Sequence, residues 1–246
     1  MMMNYYFSRP LALLLMAFSF ISSPAMANVV ISGTRIIYPA TEREVSVRLD
    51  NRGELPALVQ VWIDDGNKDT PISLLKVPFV VTPVISRIEA HNGQTLRVSY
   101  TGDTALPKDK ESVFWLNMLD IPPQNAKKMD ENQLQLALRT RIKIFFRPDA
   151  LNADGAADAI TALSWNATRE GLQATNASPY YVNIASVMAS EGKRKLSATE
   201  GAMIAPGKTH VFNMNASGSR ITSGTPITYT AINDFGGETT QQVNVK

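Results

Sequence analysis

Gln133–Pro148 reads QLQLALRTRIKIFFRP, and its apolar residues recur at every second position: Leu134, Leu136 and Leu138, then Ile142, Ile144 and Phe146. A period of two over this length predicts a strand and excludes a helix. At roughly 3.3 Å per residue the run from Gln133 to Phe146 spans about 46 Å, whereas an ordinary strand covers about 17–20 Å. One sandwich has little use for all of it. The stretch also carries Arg139, Arg141, Lys143 and Arg147 and no acid, so a positive cluster lies beside the apolar row.

Upstream, short β-type runs alternate with turn residues. Asn28–Tyr38 holds VVIS, a glycine and TRIIY; Glu44–Asp50 places valines and leucine on one face and polar residues on the other. Ala57–Ile63, Phe79–Val81, Gln94–Tyr100 and Ser112–Met118 follow, with hairpin-type turns such as Asp64–Asn67 between runs. With the long strand, this is the number and spacing of an immunoglobulin-like sandwich over residues 28–148. Pro148 stops the strand, and Asp149–Gly155 is small, polar and turn-rich, the expected linker. Seven shorter strands follow in 156–246: Ser164–Asn166, Leu172–Ala174, Tyr180–Val187, Met203–Ala205, Thr209–Met214, Ile227–Ile232 and Glu238–Val245. They predict a second, smaller sandwich. The alanine content of Ala156–Leu163 suits a short helix that needs packing to persist. The fold class is therefore all-β, with two immunoglobulin-like β-sandwich domains.

Residues 1–27 stand apart. Arg9 is their only charge, Leu11–Ile21 is an apolar run, and Ala25-Met26-Ala27 has the small-x-small form of a cleavage site. They predict a secretory signal peptide cut between Ala27 and Asn28; eleven apolar residues fall short of the ~20 that span a bilayer. No later run reaches that length, so no stable membrane insertion is expected. The remaining 219 residues suffice for two domains, and their near-neutral charge argues against nucleic acid or a membrane surface as the main partner. Cysteine is absent, which excludes thiol chemistry and cysteine metal sites. Export without disulfides favours a bacterial periplasm.

Candidate chemistry is sparse. His91 and His210 fall in different domains beside turn residues, which suits solvated histidines better than a metal site or a general base. Asp65, Asn67 and Asp69 match the start of a calcium loop, but Thr70 and Lys76 occupy the positions of its glycine and its glutamate. Ser73 and Lys76 have an S-x-x-K spacing without companion motifs, in a proline-flanked segment. No nucleotide-binding or nucleophile-elbow motif occurs. The expectation is no enzyme, no cofactor and no metal.

Binding is the remaining class. A long strand with a one-sided leucine row is a template for adding a foreign strand. The plain alternative is that Leu134, Leu136 and Leu138 continue the core face of Ile142, Ile144 and Phe146, since all share one parity. Periodicity leaves both readings open.

Several further pieces occur in a fixed order: TRIIY at 34–38, DIPP at 120–123, RIKIFFRP at 141–148, NASPYY at 176–181 and INDFGG at 232–237. Through these the chain resembles the PapD-like periplasmic chaperones of the chaperone–usher pathway, which assemble pili and fimbriae. The resemblance implies two immunoglobulin-like domains arranged in an L with an interdomain cleft. It also implies donor-strand complementation: the chaperone lends its long strand to a subunit that lacks one, then delivers the subunit to an outer-membrane usher. The lent row would be Leu134, Leu136 and Leu138. Arg35 and Lys143 match the cations that bind the subunit's C-terminal carboxylate, and Glu111, Arg147 and Asp234 match a structural interdomain charge network. Only ten residues separate Pro123 from Leu134, as in the short-loop branch of the family. Fimbrial subunits and the usher are the expected partners, and the leucine row also offers a surface for self-association. A structural pilus subunit or adhesin is the alternative function, and a secreted hydrolase on a sandwich scaffold is a third.

Overall fold

The computed structural model describes residues 28–123, 136–192, 194–214 and 221–246. The first sandwich contains β1 (Val29–Ile31), β2 (Arg35–Pro39), β3 (Val45–Asn51), β4 (Ala57–Asp64), β5 (Phe79–Thr82), β6 (Ile85–Ile88), β7 (Gly93–Tyr100), β8 (Ser112–Ile121) and β9 (Leu138–Arg147). One sheet has the order β1-β3-β7-β5 and the other β2-β9-β8-β4-β6. The run expected at Asn28–Tyr38 is thus two strands in two sheets. Gly33, at φ +107°, lies between them in a backbone region that side chains disfavour. The crossing places β2 alongside β9 in parallel, with Arg35 opposite Lys143 and Ile36 opposite Ile144.

Alternation along β9 decides what faces where. Ile142, Ile144 and Phe146 enter the first core with Ile36, Tyr38, Phe79 and Phe114, each such burial contributing about 1.5–3 kcal/mol. The same row then leaves the core: Leu138 is 52% and Leu136 62% exposed. These two leucines therefore do not continue the buried face. Leu134, like the rest of 124–135, lies outside the described residues. From Leu138 to Ile142 β9 pairs with β8 on one edge, and among the described residues no strand occupies its other edge.

The second sandwich contains α1 (Ala153–Thr161), β10 (Ser164–Ala167), β11 (Gly171–Thr175), β12 (Val182–Glu191), β13 (Arg194–Ser197), β14 (Ala202–Ile204), β15 (Thr209–Asn213), β16 (Pro226–Ile232) and β17 (Glu238–Asn244). Its sheets are β10-β11-β15 and β13-β12-β16-β17, with β14 also on β12, around Trp165, Phe212 and Tyr229. Helix α1 starts inside the segment expected as linker, ahead of the predicted Ala156. Asn152 is the cause: its side chain accepts from Gly155 N at 2.8 Å and caps the first turn, with Asp154 beside it. Strands β6 and β13 escaped the sequence reading because their four residues, ISRI and RKLS, carry too few alternations to stand out.

The motif at 176–181 has a structural cause. Asn176 is buried, its Nδ2 donates to Tyr180 O at 2.7 Å and to Ile204 O at 3.1 Å, and its Oδ1 accepts from Ser178 N at 3.0 Å. This brace sets where β12 begins. Asn176→Ala should destabilise the chain by about 2–3 kcal/mol, because buried carbonyls lose their donor; urea titration should show a lower midpoint with an unchanged slope.

Candidate functional site

Four residues of four strands meet between the two sandwiches. Arg35 and Lys143 are register partners on β2 and β9, and Asn183 and Ile232 are register partners on β12 and β16. Arg35 Nη1 donates to Ile232 O at 3.0 Å, and Lys143 Nζ donates to Asn183 Oδ1 at 2.9 Å. Arg35 also lies over the Phe145 ring, 5.9 Å from its centroid, and its Nε is buried with no acceptor among the described residues. Burial, then the charges of Arg35 and Arg141, holds Lys143 below the ordinary lysine range. Burial likewise lowers Arg35, with Asp234 opposing it. The two cations face neutral oxygens and each other, an arrangement that favours an added anion.

A cavity of about 190 Å³ opens beside Arg35, lined also by Phe145, Tyr181, Asn183, Ile232, Asp234 and the face of α1 at Ala153, Ala156, Ala157 and Ile160. Glu111 and Asp234 of the expected charge network also line it. Arg147 Nε donates to Glu111 Oε1 at 2.9 Å, and its Nη1 donates to Asp234 Oδ2 at 2.7 Å. Glu111 Oε2 accepts from Tyr181 N at 2.8 Å, so one carboxylate joins β9 to the entry of β12. Arg147 and Glu111 are only 6% and 4% exposed. Burial works against the Arg147 charge, but the hydrogen bonds of Asp234 and the charge of Glu111 outweigh it, and its pKa lies above the ordinary value. Such a pair specifies one domain orientation more than it adds net stability. The Asn233–Gly237 turn that carries Asp234 packs on the start of β2: a Cβ on Gly236 would lie 2.5 Å from Thr34 Oγ1.

The other β9 cations have partners that sequence reasoning missed. Arg141 forms an ion pair with Asp64 on β4 and lies over Trp115, 4.6 Å from its centroid. Arg139 donates to Asn117 Oδ1 at 2.8 Å and lies over Trp62 at 5.0 Å. Asn117 Nδ2 in turn donates to Asp64 Oδ2 at 2.7 Å. Asp64, Trp115, Lys143 and Arg35 form one row across β4, β8, β9 and β2. The cluster is therefore anchored along its length and less positive than the segment suggests. A signal was available in the alternation of β4, which places Trp62 and Asp64 on one face.

The remaining candidates stay apart. His91 is exposed and hydrogen-bonds Glu54 at 3.2 Å, and His210 sits edge-on to Phe212 in the other domain. Asp65 and Asn67 accept from backbone N–H groups two residues on, at 3.4 and 3.2 Å, as turn-forming side chains do.

Residues 28–152 match the family model of the pili and flagellar-assembly chaperone PapD N-terminal domain, and residues 158–243 match that of the pili assembly chaperone PapD C-terminal domain. The chain belongs to this family of pilus-assembly chaperones. Probable fimbrial chaperone YadV of Escherichia coli K12 is 44% identical over 223 residues, covering 88% of this chain and 89% of YadV. The crystal structure of the YadV chaperone matches with a TM-score of 0.76 and 40% identity, over 89% of this chain and 100% of that one. A structure of the Salmonella enterica SafA pilin in complex with the SafB chaperone matches with a TM-score of 0.74 and 28% identity, over 91% of this chain and 99% of the matched one. These likenesses bear out two immunoglobulin-like domains and a chaperone family, not an enzyme family, and they disfavour the structural subunit or adhesin.

Burial raises the Asp64 carboxyl, but hydrogen bonds from Arg141, Asn117 and Gly66 N–H outweigh it and hold it below the ordinary aspartate range. A native pKa below the unfolded one contributes stability above the unfolded value, lost as pH falls through the folded value. Asp64→Asn should cost about 2 kcal/mol at neutral pH, and the gap to the unaltered chain should close below about pH 4. Urea midpoints across pH measure this.

Proposed function

We propose that the protein caps fimbrial subunits in the periplasm by lending them the exposed part of its long strand, and hands them to an outer-membrane usher. The carrying observation is the coincidence of three features at one place: Arg35 and Lys143 in register, a strand edge leading away from them that is unpaired among the described residues, and exposed leucines on that strand. Strand β2 runs parallel to β9 and begins at Arg35. A subunit strand added beside Leu138–Ile142 with its terminal carboxylate at Arg35 and Lys143 would run in the direction of β2, over roughly 16 Å. Backbone hydrogen bonds would hold it, and the carboxylate would set its register.

Leu136 and Leu138, together with Leu134, would then fill the apolar groove of the incomplete subunit. Covering the two exposed leucines is worth about 1–2 kcal/mol each, or about a hundredfold in affinity together. The cations thus supply alignment, and the leucine row supplies much of the free energy. Glu111, Arg147 and Asp234 are structural, keeping the two domains at the angle that forms the cleft. The family match beginning at residue 28 supports cleavage of the leader between Ala27 and Asn28.

Arg35→Ala or Lys143→Ala should reduce recovery of a co-expressed fimbrial subunit from the periplasm by at least about tenfold, and so should Leu138→Asp. The melting temperature of the isolated chain should hardly move, because none of the three side chains belongs to a core. Unchanged subunit recovery in the Arg35 and Lys143 variants would sink the carboxylate assignment.

A further inference from the structure

We infer that Asn183 is a positioning residue of the anion site: it aims the Lys143 ammonium, so the second domain is a working part of that site. The inference rests on the reading of Arg35 and Lys143 as the carboxylate anchor. Its own basis is the matched register of the two strand pairs. Arg35 and Lys143 stand side by side on the first domain, Ile232 and Asn183 stand side by side on the second, and each cation donates to the oxygen facing it.

A lysine ammonium on a four-carbon stem does not hold one direction by itself. Lys143 has Arg35 beside it on β2 and Trp115 beside it on β8, and neither accepts a hydrogen bond at its aliphatic or aromatic face. Asn183 supplies the acceptor. It is 7% exposed and is the second residue of β12, two residues after the Tyr181 N–H that binds Glu111. The carboxamide is neutral, so it orients the ammonium without cancelling its charge. An aspartate there would form an ion pair with Lys143 and compete with an incoming carboxylate. An ammonium has three N–H groups, and the bond to Asn183 uses one.

The same contact ties the site to the charge network. Asp234 lies two residues after Ile232, and Glu111 binds the residue two before Asn183. The ion pairs of Arg147 therefore set the distance between the domain that carries the cations and the domain that directs them.

The test is a double-mutant cycle with a fimbrial subunit from the same gene cluster, co-expressed and co-purified, with relative Kd values from exchange competition against the tagged, unaltered chain. Asn183→Ala should weaken binding by about tenfold when Lys143 is present and by less than about twofold in a Lys143→Met background. Asn183→Asp, nearly the same size as asparagine, should weaken it more than alanine does, by about a hundredfold. A role in packing alone predicts the opposite order, alanine worse than aspartate, with effects that add to those of Lys143→Met; that outcome overturns the inference. If Lys143→Met by itself leaves Kd unchanged, the carboxylate anchor fails first. Melting curves of the free variants separate misfolding from either result, and Asn183→Gln, which keeps the acceptor, should recover part of the loss.

Discussion

A guanidinium buried between two domains has to be neutralised, and Arg147 is neutralised from both sides. Glu111 comes from its own sandwich and Asp234 from the other, so separating the domains would break the Asp234 half of that pairing. The cleft depends on that constraint. It brings Ile232 and Asn183 opposite Arg35 and Lys143, and it places Tyr181 against Phe145, with ring centroids 5.8 Å apart. The interface is thus built around charge at its centre, with aromatic contact beside it.

Strand β9 carries this arrangement because a strand has two faces. Its even positions, Ile142, Ile144 and Phe146, hold the first core together; its odd positions, Arg139, Arg141, Lys143 and Arg147, face β4, the cleft and the second domain. Where the even row passes beyond the core, at Leu138 and Leu136, it becomes available to another molecule. No change in backbone geometry is needed for the strand to pass from core element to exposed row.

Alternation made the two-sandwich architecture and the two faces of β9 legible from sequence, because a period of two is a local property, but it left open where the even row leaves the core. The sheet switch at Gly33 was not legible: VVIS and TRIIY read as one run, and only pairing partners far along the chain distinguish them. The partners of the odd row were hidden too, because alternation puts Trp62 and Asp64 on one face of β4 without saying that this face meets β9 residues. Asp64 is 77 residues from Arg141, and Asn183 is 40 residues from Lys143, and composition gives an aspartate or an asparagine no reason to be chosen over its neighbours. Arg35, Lys143, Glu111, Arg147 and Asp234 entered as candidates through the family resemblance. Helix α1 was half legible, since alanine content suggested it but the start was set by one side-chain hydrogen bond from Asn152.

An open strand edge is a hazard to the molecule that carries it, since two copies can join edge to edge. Here Arg139 and Arg141 project from the strand beside that edge, their guanidinium carbons 5.0 and 4.6 Å from the ring centroids of Trp62 and Trp115. Pairing of two copies along this edge would bring two such arginine rows together, a like-charge repulsion that Asp64 offsets in part because it pairs with both arginines. A strand without cations meets no such repulsion. The arginine row thus makes the edge selective by charge, favouring a strand that brings no cations of its own over one that does.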